Sequence, residues 1–169
     1  EAAAEAARAA LDGLARGQTL RLWRETETPD RHGRIVAHAA LADGSFLADA
    51  LLRAGHARVF TQPGAAARAA AMLALEREAR AARRGLWALA AYAVRGDAEA
   101  GRYTDSFQIV EGKIVKAARA RGVYYLNFGR DYRRDFTIGL DGAAQRAFRR
   151  AGLDPASLAG KTVRVRGWL

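Results

Sequence analysis

The sequence contains no cysteine, three prolines and a single methionine in 169 residues. Without cysteine the chain can form neither a disulfide scaffold nor a thiolate zinc site. No apolar run approaches the roughly 20 residues that a helix needs to cross a bilayer, so the sequence predicts no membrane segment. Half of the residues count as hydrophobic, but many of these are alanine. The core must therefore come from a limited set of larger aliphatic and aromatic side chains.

The chain is strongly basic, with a formal net charge of +10, and arginine supplies 25 of its 28 basic residues. The planar arginine fork matches phosphate bidentately and stays charged, which favours a polyanionic partner such as DNA or RNA. A composition rich in alanine and arginine is also what a GC-rich genome produces without any such partner. The charge alone therefore leaves the question open.

Patterning divides the chain into two regions and predicts an α+β fold with OB-like β-barrels. Residues 1–92 alternate helices with short strands. Residues 93–104 lose all periodicity and are rich in glycine, alanine and charge, so we interpret them as a linker. Residues 105–169 give three strands, a helix and a fourth strand, which is the order of a five-stranded OB barrel without its last strand. In the first strand of this region the apolar parity shifts at Gly112, as a β-bulge would cause.

Within the first region, turn and cap signals place the elements. We expect a helix over residues 1–16, strands over 18–24 and 34–41, a short helix over 46–54, and a long helix from the "TQPG" segment to Gly85. Glu76 and Arg80 lie four residues apart in that long helix. We interpret them as an ordinary i,i+4 pair.

The loop between the two predicted strands, "TPDRHGR" at residues 28–34, carries the most unusual pattern. Pro29, Asp30 and Gly33 are typical of any turn. A turn does not explain why three cationic or titratable side chains crowd around Gly33. These are Arg31, His32 and Arg34.

Several segments in order resemble the thermonuclease family, also called staphylococcal-nuclease-like domains. They are "EAAAEAARAALDGL", "DRHGRIVAHAAL", the "DG…LL..G.A.V" run and "E..AR.ARRGLW", and together they cover about residues 1–90. The later segments "VYYLNFGRDYRRDFTIGL" and "GKTVRVRGW" look like the second barrel that follows such nuclease domains in some bacterial proteins. The resemblance implies a nuclease-type OB barrel with helices, followed by a second OB-like barrel.

The resemblance also implies a chemistry, the Ca²⁺-dependent hydrolysis of phosphodiester bonds in DNA or RNA. In the family, the arginine that closes this loop contacts the phosphate under attack, and Arg34 occupies that position. His32 stands where the family usually has an aromatic side chain against the nucleotide, and Arg31 is a further nucleic-acid contact. This interpretation predicts that Arg34 avoids a local ion pair with Asp30. The competing interpretation is that Arg34 only pins the loop through that pair.

The resemblance further implies that parts of the nuclease are missing from this chain. The other catalytic arginine, the metal-binding carboxylates and the acidic base lie upstream of the first helix in the family. We therefore expect a fragment that lacks the first barrel strands and is catalytically incomplete alone, with the Ca²⁺ ligands outside this chain. Family habit favours export to the periplasm or beyond. Glu25, Glu27 and Asp30 could replace the metal site, but a solvated polar loop is the better interpretation.

Two alternatives to an enzyme remain open. Tandem OB modules can bind single-stranded nucleic acid without cutting it, through a basic groove and aromatic platforms. Candidates for such a face are Tyr125, Arg133, Arg164 and Arg166, with Tyr124, Tyr132, Arg134 and Trp168 beside them. For any one of these, a core or solubilising role is the simpler explanation. The C-terminal barrel could also serve as a docking platform for another protein.

Overall fold

The computed structural model describes residues 1–30, 32–61 and 65–169. The chain divides into two compact units, Glu1–Tyr92 and Ala93–Leu169. Both combine helices with small sheets, so the predicted α+β class is confirmed. Across the described ranges, no sheet closes into a complete barrel.

The described residues of the first unit form three α-helices and a two-stranded sheet. Its elements are α1 (Ala2–Ala15), β1 (Arg21–Trp23), β2 (His38–Ala40), α2 (Leu47–Ala54) and α3 (Ala69–Ala81), followed by 3₁₀ turns at Gly85–Ala88 and Ala90–Tyr92. β1 and β2 are antiparallel, with Leu22 opposite Ala39. Both strands are shorter than their sequence pattern predicts, because the ladder that joins them covers only three pairs.

Helices α2 and α3 build the core of this unit. Leu52, Val59 and Met72 are buried together. The predicted start of the long helix involves residues 62–64, which lie outside the described residues, and α3 itself begins at Ala69. Arg68 at its start ties the two helices together, because its Nη2 lies 2.6 and 2.7 Å from the two carboxylate oxygens of Asp49.

Glu76 is not the surface residue that its spacing from Arg80 suggests. It is fully buried, and its Oε2 accepts a hydrogen bond of 2.7 Å from the Val59 backbone N–H. Its Oε1 lies 3.2 Å from Nη1 of Arg80, whose guanidinium is 5.5 Å from the centre of the Trp87 ring. The predicted i,i+4 pair is present, but it is not an ordinary one, because the carboxylate also satisfies a buried backbone donor.

Two glycines allow the end of α3 to approach the end of α2. Gly55 and Gly85 have φ of +77° and +52°. A Cβ on Gly55 would lie 2.2 Å from the Arg84 carbonyl oxygen, and one on Gly85 would lie 2.4 Å from the Gly55 carbonyl oxygen. That Gly55 oxygen accepts a 2.8 Å hydrogen bond from the Leu86 N–H. The two backbones can touch in this way only where neither residue carries a side chain.

The second unit holds six strands and one α-helix. Its elements are β3 (Arg95–Gly96), a 3₁₀ helix (Asp97–Arg102), β4 (Phe107–Lys113), β5 (Lys116–Ala120), β6 (Val123–Asn127), β7 (Thr137–Leu140), α4 (Gly142–Arg150), a 3₁₀ helix (Pro155–Leu158) and β8 (Thr162–Trp168). The sheet orders are β3-β4-β8 and β5-β6-β7. The strand predicted over residues 106–118 is thus divided into β4 and β5.

The division falls at Ile114, where the strand changes its pairing partner. The Ile114 N–H donates to the Lys161 carbonyl, next to β8, and the Val115 N–H donates to the Asn127 carbonyl on β6. The chain therefore passes from the sheet of β4 to the sheet of β5 at Ile114 and Val115. The parity shift predicted a β-bulge at Gly112. The change of pairing partner falls at Ile114, just after that residue.

Residues 93–104, interpreted from the sequence as a linker, belong to the fold of the second unit. Residues Arg95 and Gly96 of β3 pair in parallel with Val110 and Glu111 of β4. The Asp97 side chain fills the space where a Cβ on Gly112 would lie, 2.4 Å from Oδ1. The linker interpretation fails because a two-residue strand and a 3₁₀ helix are too short to produce a periodic pattern.

Strand alternation predicted the core of this unit correctly. Ile114, Leu126, Phe128 and Leu140 are buried together. Tyr124, Phe136 and Ile138, expected on the same inward faces, pack against that cluster, as does Phe148 of α4. Asp141 caps α4, because its Oδ1 accepts a 2.8 Å hydrogen bond from the Ala144 N–H.

Candidate functional site

The loop after β1 is organised around the carboxylate of Asp30. Its Oδ1 accepts hydrogen bonds of 2.9 Å from the backbone N–H groups of His32 and Arg34. The Asp30 N–H donates to the Arg34 carbonyl, and the Gly33 N–H donates to the Asp30 carbonyl, both at 2.9 Å. Gly33 has a φ of +74°, which a residue with a side chain rarely adopts. The described residues Asp30, His32, Gly33 and Arg34 are therefore linked by bonds that do not involve the Arg34 side chain.

The Arg34 side chain uses one edge of its guanidinium to pair with Asp30. Nε and Nη2 each lie 2.7 Å from Oδ2 of that carboxylate. The arginine side chain is 73% exposed, whereas the Asp30 side chain is 9% exposed. Among the described residues, Nη1 of Arg34 has no hydrogen-bond or ion-pair partner, and the side chain is largely exposed.

These contacts lower the pKa of Asp30 to about 2. The largest cause is the hydrogen bond from the Arg34 backbone N–H, and the Arg34 side chain and the His32 N–H act in the same direction. Hydrogen bonds from donors favour the ionised carboxylate. Asp30 therefore stays charged at any physiological pH.

The expectation that Arg34 avoids a pair with Asp30 is wrong. The pair exists because four backbone hydrogen bonds bring the two residues to the two ends of one tight loop. The pair nevertheless leaves one guanidinium edge available, so pinning the loop and contacting a phosphate are compatible. The role of Asp30 as an anchor was missed from the sequence. The signal was an aspartate four residues before an arginine, with a glycine between them.

Glu25 in the neighbouring segment is engaged by other groups. Its Oε1 lies 2.5 Å from His38 Nε2, and its Oε2 accepts a 2.8 Å hydrogen bond from the Ala67 N–H. Its side chain is only 7% exposed. The Ala67 N–H is the largest cause of a lowered pKa at Glu25, and His38 contributes in the same direction.

The carboxylates of the "ETETPD" segment do not fit a Ca²⁺ site. Glu27 lies 2.8 Å from Arg24 Nη2, Asp30 pairs with Arg34, and Glu25 is held as described. Calcium requires six to eight oxygen ligands directed at one point, and these oxygens are directed at separate cations and amides. Within residues 1–30, 32–61 and 65–169 no group of three potential metal ligands occurs.

The other predicted contacts of the first unit are His32 and Arg31. His32 is exposed on the loop, and its backbone N–H is one of the donors to Asp30. Arg31 lies outside the described residues.

The predicted contacts of the second unit lie on several different elements. Tyr125 is 37% exposed on β6, in the sheet β5-β6-β7. Arg164 and Arg166 lie on β8 in the other sheet, and Arg164 pairs there with Glu111 of β4. Arg133 lies in the segment before β7, with its guanidinium 5.7 Å from the centre of the Tyr132 ring. The sequence analysis grouped these residues because they are basic or aromatic, and not because any pattern showed that they lie close together.

Comparison with known proteins supports the resemblance seen in the sequence. The family model described as staphylococcal nuclease homologue matches residues 2–89, just over half of the chain. A search of curated proteins finds no match. Along the described residues, no helix has the length and apolar character of a transmembrane span. The family domain indicates a nuclease or nucleic-acid-binding function, and the family is generally Ca²⁺-dependent. The chain belongs to the staphylococcal nuclease homologue family.

Proposed function

We propose that this chain serves in the hydrolysis of phosphodiester bonds in DNA or RNA, with Arg34 in contact with the phosphate under attack. The observation that carries the proposal is the geometry of the Asp30–Arg34 pair. Asp30 Oδ2 lies 2.7 Å from both Nε and Nη2 of the guanidinium, and Nη1 has no hydrogen-bond or ion-pair partner among the described residues. Arg34 is also the residue that matches the arginine of the family loop.

The chemistry requires a fixed cation of this kind. When water attacks a phosphodiester, negative charge builds on the nonbridging oxygens of the phosphate. A guanidinium already oriented toward those oxygens stabilises the developing charge without reorganising during the reaction. The Nη1–Nη2 edge can donate two hydrogen bonds to such oxygens, which a lysine ammonium cannot do in the same planar geometry. Asp30 then acts as a positioning residue for Arg34.

His32 and Arg31 complete the proposed contact surface of this loop. His32 stands two residues before Arg34, where the family usually carries an aromatic side chain, and it is exposed. An imidazole in that place can stack on a base or donate a hydrogen bond to it. Arg31 would add charge next to the substrate strand.

We further propose that residues 1–169 bind nucleic acid without cleaving it. Of the carboxylates closest to Arg34 in sequence, Glu27 and Asp30 each pair with an arginine, and Glu25 contacts His38 and the Ala67 N–H. On this proposal, the acidic base and the Ca²⁺ ligands are supplied by another segment. No step of the reaction is assigned to these carboxylates.

The experiment compares the full-length product of the gene with residues 1–169, on single-stranded DNA, double-stranded DNA and RNA, with Ca²⁺ or with EDTA. We expect cleavage by the full-length product in Ca²⁺ only. We expect residues 1–169 to be inactive in both conditions. Robust Ca²⁺-stimulated cleavage by residues 1–169 would contradict the second proposal, and no cleavage of any substrate by the full-length product would contradict the first.

A non-catalytic nucleic-acid-binding module is the second candidate. Trp168 is 60% exposed and lies on the same face of β8 as Arg164 and Arg166, because the three residues are spaced by two. An exposed aromatic beside basic residues on an OB-like strand is typical of a stacking platform. If this candidate is right, Trp168→Ala weakens binding of a labelled single-stranded oligonucleotide, and Arg34→Ala leaves that binding unchanged.

A further inference from the structure

A cavity of about 500 Å³ opens in the second unit, between the β5–β6 hairpin, the end of α4 and the 3₁₀ helix at Pro155–Leu158. The residues that give it its chemistry are Arg119, Tyr124, Gln145, Arg149, Leu153 and Pro155. Its volume falls within the roughly 300–1,000 Å³ of small-molecule sites. None of these residues contributes to the Asp30–Arg34 loop.

Two arginines give the cavity a positive wall. Arg119 lies on β5, directly opposite Tyr124 on β6. Arg149 lies on α4, one helical turn beyond Gln145, and so on the same helix face. Among the described residues, neither guanidinium has an ion-pair or hydrogen-bond partner. Both are exposed, and each can donate to an anion.

Gln145 gives the cavity a fixed hydrogen-bond acceptor. It is 8% exposed, and its Nε2 donates hydrogen bonds of 2.8 Å to the carbonyl oxygens of Gly122 and Leu140. Because both partners are acceptors, the group that contacts them must be the amide NH₂. The carboxamide oxygen has no partner among the described residues and is not sealed from solvent. A ligand with an N–H donor can therefore bond to it.

The rest of the wall is apolar and structurally fixed. Leu153 is 49% exposed, whereas Pro155 is buried. The Tyr124 ring packs on the core and also lines the cavity. Asp154 is the single carboxylate there, and its Oδ1 already accepts a 2.9 Å hydrogen bond from the Ala156 N–H. The cavity wall thus carries two arginines and one aspartate, and that aspartate already accepts a backbone hydrogen bond.

We propose that this cavity binds a nucleotide, with the phosphate on Arg119 and Arg149 and the base against the Tyr124 and Leu153 surface. A nucleotide combines an anion, a flat apolar face and N–H donors, which are the three groups that this wall complements. Inorganic phosphate would leave the apolar surface and the Gln145 oxygen unused. The nucleotide is either free or the terminal residue of a strand. The inference does not depend on the role of Arg34.

Calorimetric titration of residues 1–169 with adenosine 5′-monophosphate tests the proposal. We expect Arg149→Gln to weaken binding by about tenfold, the usual effect of losing a charge-assisted hydrogen bond. Arg150→Gln is the matched control, because it removes the same charge from the adjacent, exposed position of α4 and does not line the cavity. It should change the affinity by less than about twofold. Adenosine and inorganic phosphate should each bind more weakly than the nucleotide.

A second measurement does not depend on any variant. In an NMR titration of the unmodified chain, the nucleotide should shift the Gln145 side-chain amide and the Gly122 backbone amide. Binding of a short 5′-phosphorylated oligonucleotide with the same sensitivity to Arg149→Gln indicates a strand end, and binding of the mononucleotide alone indicates a free nucleotide. Equal losses in Arg149→Gln and Arg150→Gln would overturn the proposal, as would phosphate binding as tight as nucleotide binding, or no binding of either probe at millimolar concentration.

Discussion

Nε and Nη2 of Arg34 both lie 2.7 Å from the same oxygen of Asp30, while the other oxygen of that carboxylate accepts the backbone N–H groups of His32 and Arg34. One aspartate therefore holds both the loop backbone and the arginine that closes it. The two functions of Asp30 can be separated by substitution, because they use different oxygens.

Asp30→Asn tests the positioning role. Asparagine keeps an acceptor for the two backbone amides but removes the charge that holds the guanidinium. In the full-length gene product, we expect kcat to fall by about tenfold, because a misplaced catalytic group loses part of its effect. The melting temperature should fall, because the ionised carboxylate stabilises the folded loop, but by less than in Asp30→Ala. Asp30→Ala is the comparison, since it also removes the amide acceptor and should destabilise the loop. An unchanged kcat in Asp30→Asn would show that the pair does not position Arg34.

The lowered pKa of Asp30 predicts how the loop responds to acid. The folded-state pKa is about 2, below the ordinary value of about 3.9 for aspartate. The ionised carboxylate therefore stabilises the folded loop at every pH above about 4, and that contribution is lost as the pH falls from about 4 toward 2. The backbone amide shifts of His32 and Arg34, followed by NMR, should titrate with a midpoint near the lower value. A midpoint near 4 would contradict the hydrogen-bonded geometry, and Asp30→Asn should abolish the transition.

Glu76 should contribute strongly to the stability of the first unit. Glu76→Ala removes the carboxylate that accepts from the Val59 N–H and pairs with Arg80. We expect the free energy of unfolding to fall by about 3 kcal/mol, as for other buried pairs that lose one member. Glu76→Gln should cost less, because glutamine keeps an acceptor. Glu78→Ala, an exposed glutamate of the same helix, is the control and should change stability by less than about 0.5 kcal/mol. Equal free energies of unfolding for Glu76→Ala and Glu78→Ala, measured by urea denaturation, would contradict the stabilising role of buried Glu76.

The contact between Gly55 and Gly85 should tolerate no side chain. Gly55→Ala places a Cβ 2.2 Å from a backbone oxygen at a positive φ, so we expect severe destabilisation of the first unit. Gly13→Ala is the matched control. No atom lies within 4 Å of its added Cβ, and the change should stabilise α1 by about 0.5–1 kcal/mol. Similar thermal melts for the two variants would contradict the close approach of the two chain segments.

Elements with a strong local period were predictable from the sequence. The inward alternation at Tyr124, Leu126 and Phe128 was predicted, because a half-buried strand must repeat every second residue. The burial of Glu76 was not, since no local pattern shows that a distant backbone N–H at Val59 needs an acceptor. The strand at Arg95–Gly96 was not predicted for another reason, because two residues are too few to show a periodic pattern.

The position of the candidate loop was predictable from its residue types, because Arg31, His32 and Arg34 crowd around Gly33. The geometry of the loop was not predictable. The ion pair with Asp30 depends on backbone hydrogen bonds that a sequence does not display. The cavity in the second unit was missed because Arg119, Gln145 and Leu153 lie far apart in sequence, and only the packing of α4 against the hairpin brings them together.

The most direct test of the account is to measure turnover and melting temperature on Arg34→Ala in the full-length gene product. The backbone hydrogen bonds of Asp30 do not need the arginine side chain, and that side chain is largely exposed. We therefore expect turnover to fall by about 10²-fold or more while the melting temperature shifts by only a few degrees. Arg34→Lys should restore part of the activity, because a point charge cannot reproduce the planar contact. A destabilised Arg34→Ala protein with unaltered turnover at low temperature would contradict the catalytic role and leave Arg34 as a residue that only pins the loop.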